Sequence, residues 1–152
     1  HMPFEYHAKV NKVIDGDTIN VDLDLGFNVV LSNQNVRLLG IDTPESRTSD
    51  KAEKIFGNLS KEKVKEFIDK CEGQVILQTV LSDSEEKFGR LLGKVVNPKD
   101  NVILNEWLIA NHYAVAYNGE NKDKVAQAHL SNRKILIDNK EIAMKYSAAG
   151  VK

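Results

Sequence analysis

The sequence predicts an α+β fold: a small five-stranded Greek-key barrel of the OB type with three helices packed at one side. Three observations predict it. Residues 5 to 40 alternate with a period of two, a helical period replaces that alternation from Asp50 to Cys71, and two further strands follow before the pattern turns helical again. At 152 residues the chain is large enough to bury a core as one domain, expected to span 3–152.

Ala8, Val10 and Lys12 alternate with Lys9, Asn11 and Val13 as far as Ile14, the pattern of a half-buried strand. Asp15-Gly16-Asp17 is a turn, because Asp and Gly accept the backbone angles and local hydrogen bonds that turns need. Ile19, Val21, Leu23 and Leu25 then alternate with polar residues, and Gly26 ends that strand. Phe27 to Leu31 reads as a short strand, Ser32 to Asn35 as a polar turn, and Val36 to Gly40 as the next strand.

From Asp50 the apolar residues Ala52, Ile55, Phe56, Leu59, Val64, Phe67, Ile68 and Cys71 recur at helical steps. Thr48, Ser49 or Asp50 can cap that helix, and Gly73 ends it. Gln74 to Leu81 and Leu91 to Val96 are strands around a charged loop, Ser82 to Lys87, and 97–101 is a turn. Val102 to Asn111 is helical, 114–117 is short and extended, Asn118-Gly119 closes it, and a last helix runs from Asp123 to Ile137. The tail 139–152 has a weak pattern and is expected to be loosely attached.

Charged residues at 28% and hydrophobic ones at 41% are ordinary for a globular domain. No apolar run approaches the roughly 18 residues of a membrane span. His1 ahead of Met2 reads as a cloning remnant, and no signal peptide is visible, so a cytoplasmic address is expected, with a trimmed secreted precursor as the alternative. A single cysteine, Cys71, excludes an internal disulfide and a cysteine zinc cluster. It falls in the helical pattern and reads as a small core residue. The four histidines (His1, His7, His112, His129) lack ligand spacing and carry no expected role. Trp107 reads as core, Asp22 and Asp24 as the solvent face of a strand, and Lys51, Lys54, Lys61, Lys63 and Lys65 as the wet side of the long helix. A net charge of −1 is unlike a strong non-specific nucleic-acid binder, so any phosphate-binding surface must be local.

The unusual residues fall in three clusters: Asp15-Gly16-Asp17-Thr18, Arg37 with Asp42-Thr43-Pro44-Glu45, and Glu86-Lys87-Phe88-Gly89-Arg90. Each alone is a turn or a solvated loop. Together they place carboxylates at adjacent strand ends. Asp17 and Asp42 are hard oxygen ligands suited to Ca²⁺ or Mg²⁺. Glu45 stands just beyond them, as a base for water, and Pro44 stiffens the turn between. Arg37 and Arg90 are planar forks that grip phosphate oxygens bidentately. A cation, a base and two arginines are what phosphodiester hydrolysis requires, because negative charge grows on phosphorus in the transition state.

The motifs Ile14-Asp15-Gly16-Asp17-Thr18, Val36 to Glu45 (VRLLGIDTPE) and Lys87-Phe88-Gly89-Arg90 resemble, in order and rough spacing, those of the staphylococcal (thermo)nuclease family, from about Ala8 to about Ile137. The resemblance implies a Ca²⁺-dependent OB-fold endonuclease of DNA and RNA that cleaves P–O5′ and leaves 3′-phosphate ends. It implies Ca²⁺ held by Asp17, Asp42 and the Thr43 carbonyl, Glu45 as general base or water-orienter, and Arg37 and Arg90 on the phosphate. Lys87, Phe88 and Tyr117 fall at nucleotide-contacting positions. The chain departs from the family's founding enzyme with Phe88 and Gly119 in place of tyrosines, and with a longer Asp17-to-Arg37 interval extended through Leu25-Gly26-Phe27. Altered substrate access with intact chemistry is the expectation. A monomer acting on single-stranded nucleic acid is expected. The alternative is a catalytically weak module that binds nucleic acid or protein. Intact Arg37, Glu45 and Arg90 argue against it, and too few exposed aromatics are expected for a plain single-strand binder.

Overall fold

The structure, a computed structural model, describes residues 4–79 and 91–150. Its centre is a closed barrel with strand order β1-β2-β3-β6-β5. Three long strands form first: β1 (Phe4–Asp15), β2 (Thr18–Asp24) and β3 (Val30–Leu38), joined antiparallel. After a two-residue strand β4 (Ile41–Asp42) comes the long helix α1 (Lys51–Lys70), then β5 (Gln74–Thr79) and β6 (Leu91–Val96). β5 pairs with β1 and β6, and a parallel pairing of β6 with β3 (Val36 with Leu91, Leu38 with Gly93) closes the barrel. The predicted five-stranded barrel with a helix between its third and fourth strands is the observed one.

The alternation explains the core. Ile19, Val21, Val36, Leu38, Leu77 and Val95 point inward and are fully buried, each worth about 1.5–3 kcal/mol of burial. α1 closes one end of the barrel with Val64, Phe67 and Ile68. Asp50 caps it, its side chain accepting from the backbone N–H of Ala52 and Glu53. Cys71 is buried in the same core, and burial raises its thiol pKa. Trp107 packs in a tilted arrangement on Phe67 and Tyr113, also against the core.

Two elements differ from expectation. The Ser32–Asn35 segment is not a turn but the middle of β3, and the turn lies at residues 25–29, where Gly26, Phe27 and Asn28 all take left-handed angles. The asparagines satisfy one another across the sheet: Asn20 Nδ2 donates to Asn33 and Asn35 at 2.9 Å each, and Asn11 Nδ2 donates to Asn20 Oδ1 at 3.0 Å. Asp22 is likewise no idle surface group, since it accepts from Asn11 and from the Asn33 amide.

The C-terminal part holds α2 (Leu104–Ala110), β7 (Val115–Ala116), α3 (Lys122–Leu136) and a fourth helix, α4 (Lys140–Ala148). Three helices were expected, with 139–152 as a loose tail. α4 forms because Asn139 caps it and Ile142, only 8% exposed, packs on Phe56 and Leu59 of α1. Among the described residues no helix is long and apolar enough to cross a membrane.

Candidate active site

The barrel brings the first two motif clusters to one rim. Arg37 pairs directly with Thr18 across β2 and β3, and the Leu38 amide donates to the Asp17 carbonyl at 2.8 Å. Gly40 then turns the chain out of the barrel in a left-handed conformation. Asn105 of α2 pins this exit: buried, it donates to the carbonyls of Leu39 and Gly93 and accepts from the Val95 amide. Asp42 lands on β4, which pairs with β7 (Asp42 with Val115), while the Tyr117 amide donates to the Gly40 carbonyl. The turn from Thr43 to Ser46 packs on α1 at Gly57. A Cβ at residue 57 would lie 2.3 Å from the Glu45 carbonyl oxygen, so only glycine lets the helix approach this closely.

Asp17, Arg37, Asp42, Glu45 and Tyr117 line one cleft of about 450 Å³ together with Asp15, Thr18, Lys122 and Val125. Arg37 sits between the two aspartates: its Nη1 is 2.9 Å from Asp17 Oδ2 and its Nη2 is 3.4 Å from Asp42 Oδ1. Yet Nη1 is buried and makes no hydrogen bond among the described residues. The two observations agree once angle is considered: the ions are close, but the N–H is not aimed at the oxygen. A donor held near the cleft with no acceptor is suited to an arriving anion.

The carboxylates crowd one another. Burial raises the Asp17 pKa more than the Arg37 charge lowers it, and Asp42 and Asp15 add to the rise. Glu45 is raised by burial and then by Asp17, Asp15 and Asp42. Among the described residues four acidic side chains face Arg37 and Lys122 in the cleft, an acidic balance that suits a divalent cation. Among the described residues no three His, Cys, Asp or Glu side chains group as a metal-holding cluster. A cation here would therefore take two carboxylates, and would draw its remaining oxygens from backbone, water and substrate. Thr43 is 3% exposed and lies beside the cleft, not among its lining residues. Lys87, Phe88 and Arg90 lie outside the described residues.

Four participants were missed in the sequence. Asp15 looked like half of a turn, but it lines the cleft and accepts from the Ser46 hydroxyl. Lys122, Val125 and His129 come from α3. His129, expected to be idle, places Nε2 2.7 Å from Asp42 Oδ2. The available signal was spacing, since residues 122, 125 and 129 share one helical face.

A family model described as staphylococcal nuclease homologue matches residues 35–138. An endonuclease of Bacillus subtilis (strain 168), YhcR, is 30% identical over 118 residues, which is 74% of this chain but 9% of that protein. An uncharacterized endonuclease of Escherichia coli O157:H7 is 30% identical over 121 residues, 80% of this chain and 67% of its own length. A protein of the same description from Escherichia coli matches with the same figures.

Proposed function

The chain belongs to the family of staphylococcal nuclease homologues, and from that premise we propose that it is a Ca²⁺-dependent endonuclease of DNA and RNA, cleaving P–O5′ and leaving 3′-phosphate ends. Residues 3–152 would act as one monomeric domain, with single-stranded nucleic acid as the preferred substrate. The observation that carries this reading is Arg37, flanked by two carboxylates yet with a buried Nη1 that makes no hydrogen bond among the described residues, across the same cleft from Glu45.

Asp17, Asp42 and the Thr43 carbonyl would hold the cation. When bound, it supplies positive charge that stabilises negative charge on the phosphate oxygens as the reaction proceeds. Glu45 accepts a proton from a water, whose oxygen bonds to phosphorus as the P–O5′ bond breaks. The departing 5′ oxygen then takes a proton from solvent. A carboxylate raised by burial and by its acidic neighbours is a better base than a free one, while a cation nearby would pull it back down. Arg37 turns its guanidinium from the two aspartates to a phosphate oxygen, a contact that strengthens as charge develops there. Arg90, directly ahead of β6, would supply the second fork, and Lys87, Phe88 and Tyr117 would contact the nucleotide.

The test is incubation of purified protein with denatured DNA, with Ca²⁺ or with chelator, followed by analysis of product ends. Cleavage only with Ca²⁺, ending in 3′-phosphate, is expected. Glu45→Ala should lower kcat by about two to four orders of magnitude with KM little changed. Undiminished turnover in that variant would sink the role given to Glu45. No cleavage with any divalent cation would favour the binding-module alternative.

A further inference from the structure

We propose that His129 is a positioning residue that sets Asp42 for metal binding and couples α3 to the cleft, an inference that rests on the metal reading of Asp42 above. The two oxygens of Asp42 are held unequally. Oδ2 lies 2.7 Å from His129 Nε2, whereas Oδ1 is 3.4 Å from Arg37 Nη2, a long contact. A carboxylate oxygen can only accept, so the facing ring nitrogen carries the proton. One firm bond on Oδ2 fixes the rotation of the carboxylate and leaves Oδ1 with only the long Arg37 contact among the described residues.

His129 is itself well held. Its side chain is 14% exposed and lines one small pocket with Pro44, Phe56 and Ser60. Its helix has no buried residue of its own, so α3 depends on point contacts along one stripe. Lys122 and Val125 face the cleft, His129 meets Asp42, and Arg133 lies over the Phe56 ring at 5.5 Å. Asn132 Nδ2 adds a bond to the Ala114 carbonyl at 3.2 Å. Of these contacts only His129 touches a proposed metal ligand. The helix that walls the cleft is therefore latched onto the carboxylate that would hold the cation. Partners that orient a ligand in this way typically change metal affinity by about 10–100-fold when removed.

The experiment measures Ca²⁺ affinity of the full chain by titration calorimetry without nucleic acid, so that it reads binding and not turnover. His129→Leu should weaken Ca²⁺ by about tenfold or more, and His129→Gln, which keeps an N–H donor at similar reach, should recover most of it. Asn132→Ala removes the other polar tie of α3 without touching Asp42, and should leave Ca²⁺ affinity at the wild-type value. Hydrogen exchange of the α3 amides reports loosening in every variant and shows that each is folded. Unchanged affinity in His129→Leu beside lost affinity in Asp42→Ala overturns this inference alone. Equal weakening by Asn132→Ala and His129→Leu also overturns it, because the histidine would then only dock the helix. Full Ca²⁺ affinity in Asp42→Ala overturns the metal reading itself, and the inference with it.

Discussion

Gly57 governs the turn that carries Glu45 without lining the cleft. Its missing Cβ would lie 2.3 Å from the Glu45 carbonyl oxygen and 2.7 Å from the Ser46 nitrogen, and both obstacles are backbone. No side-chain rotation can relieve such a clash, so in Gly57→Ala either α1 or the turn must move. In the role proposed for it, Glu45 needs placement to within a fraction of an ångström, and a 1 Å error far from the chemistry can cost about 100-fold. Gly57→Ala is therefore expected to lower kcat by about 10–100-fold with KM little changed, and to destabilise by about 1–3 kcal/mol through overpacking. Steady-state kinetics and a urea melt check the two halves separately. A variant as fast as wild type would mean that the turn yields without displacing Glu45.

At the scale of elements, legibility followed periodicity. β2 and α1 were readable because each shows a clean period over a long run, whereas only the end of β3, from Val36, was legible, and Asp17, Arg37, Asp42 and Glu45 were found by their motifs at the strand ends. The Ser32–Asn35 segment was misread because asparagine ordinarily favours turns by local bonding. Here its amides bond instead to Asn20 on the neighbouring strand, a long-range partner that composition cannot reveal. α4 was misread for the opposite reason. Its apolar residues are few, but Ile142 and Tyr146 at i and i+4 meet Phe56 of α1, and that contact exists only once α1 is folded. His129 was overlooked because its partner lies 87 residues away. The attachment of α4 is testable by itself. Ile142→Ala should cost about 2 kcal/mol, the low end for such a truncation because the cluster is peripheral. Nuclease kinetics should stay unchanged, since α4 contributes nothing to the cleft lining. A wild-type urea midpoint would show that α4 is not anchored there.

Charge is the property of the whole molecule that ties stability to activity. A net charge of −1 gives little long-range attraction for a polyanion, and among the described residues the cleft sets four carboxylates against Arg37 and Lys122. On the proposed reading, substrate and fold share one need, a cation among those carboxylates. The sign can be worked out for Asp17. Burial and its acidic neighbours hold its folded pKa above the ordinary 3.8, so its protonated form supports the fold below that pH and the support is lost as pH rises through the folded value. At neutral pH the ionised group is therefore a cost to the metal-free protein. In the proposed site Ca²⁺ would remove that cost by binding only the folded chain: at 100 times its Kd it should add about 2.7 kcal/mol, which for a domain of this size is a rise in Tm of roughly 5–10 °C. Asp17→Asn should behave in the opposite way in each respect, melting no lower than wild type in chelator and gaining little from Ca²⁺. Calorimetric melts of both proteins with and without Ca²⁺ decide it. An equal Ca²⁺ shift in Asp17→Asn would place the cation elsewhere, and with it the source of charge for the reaction.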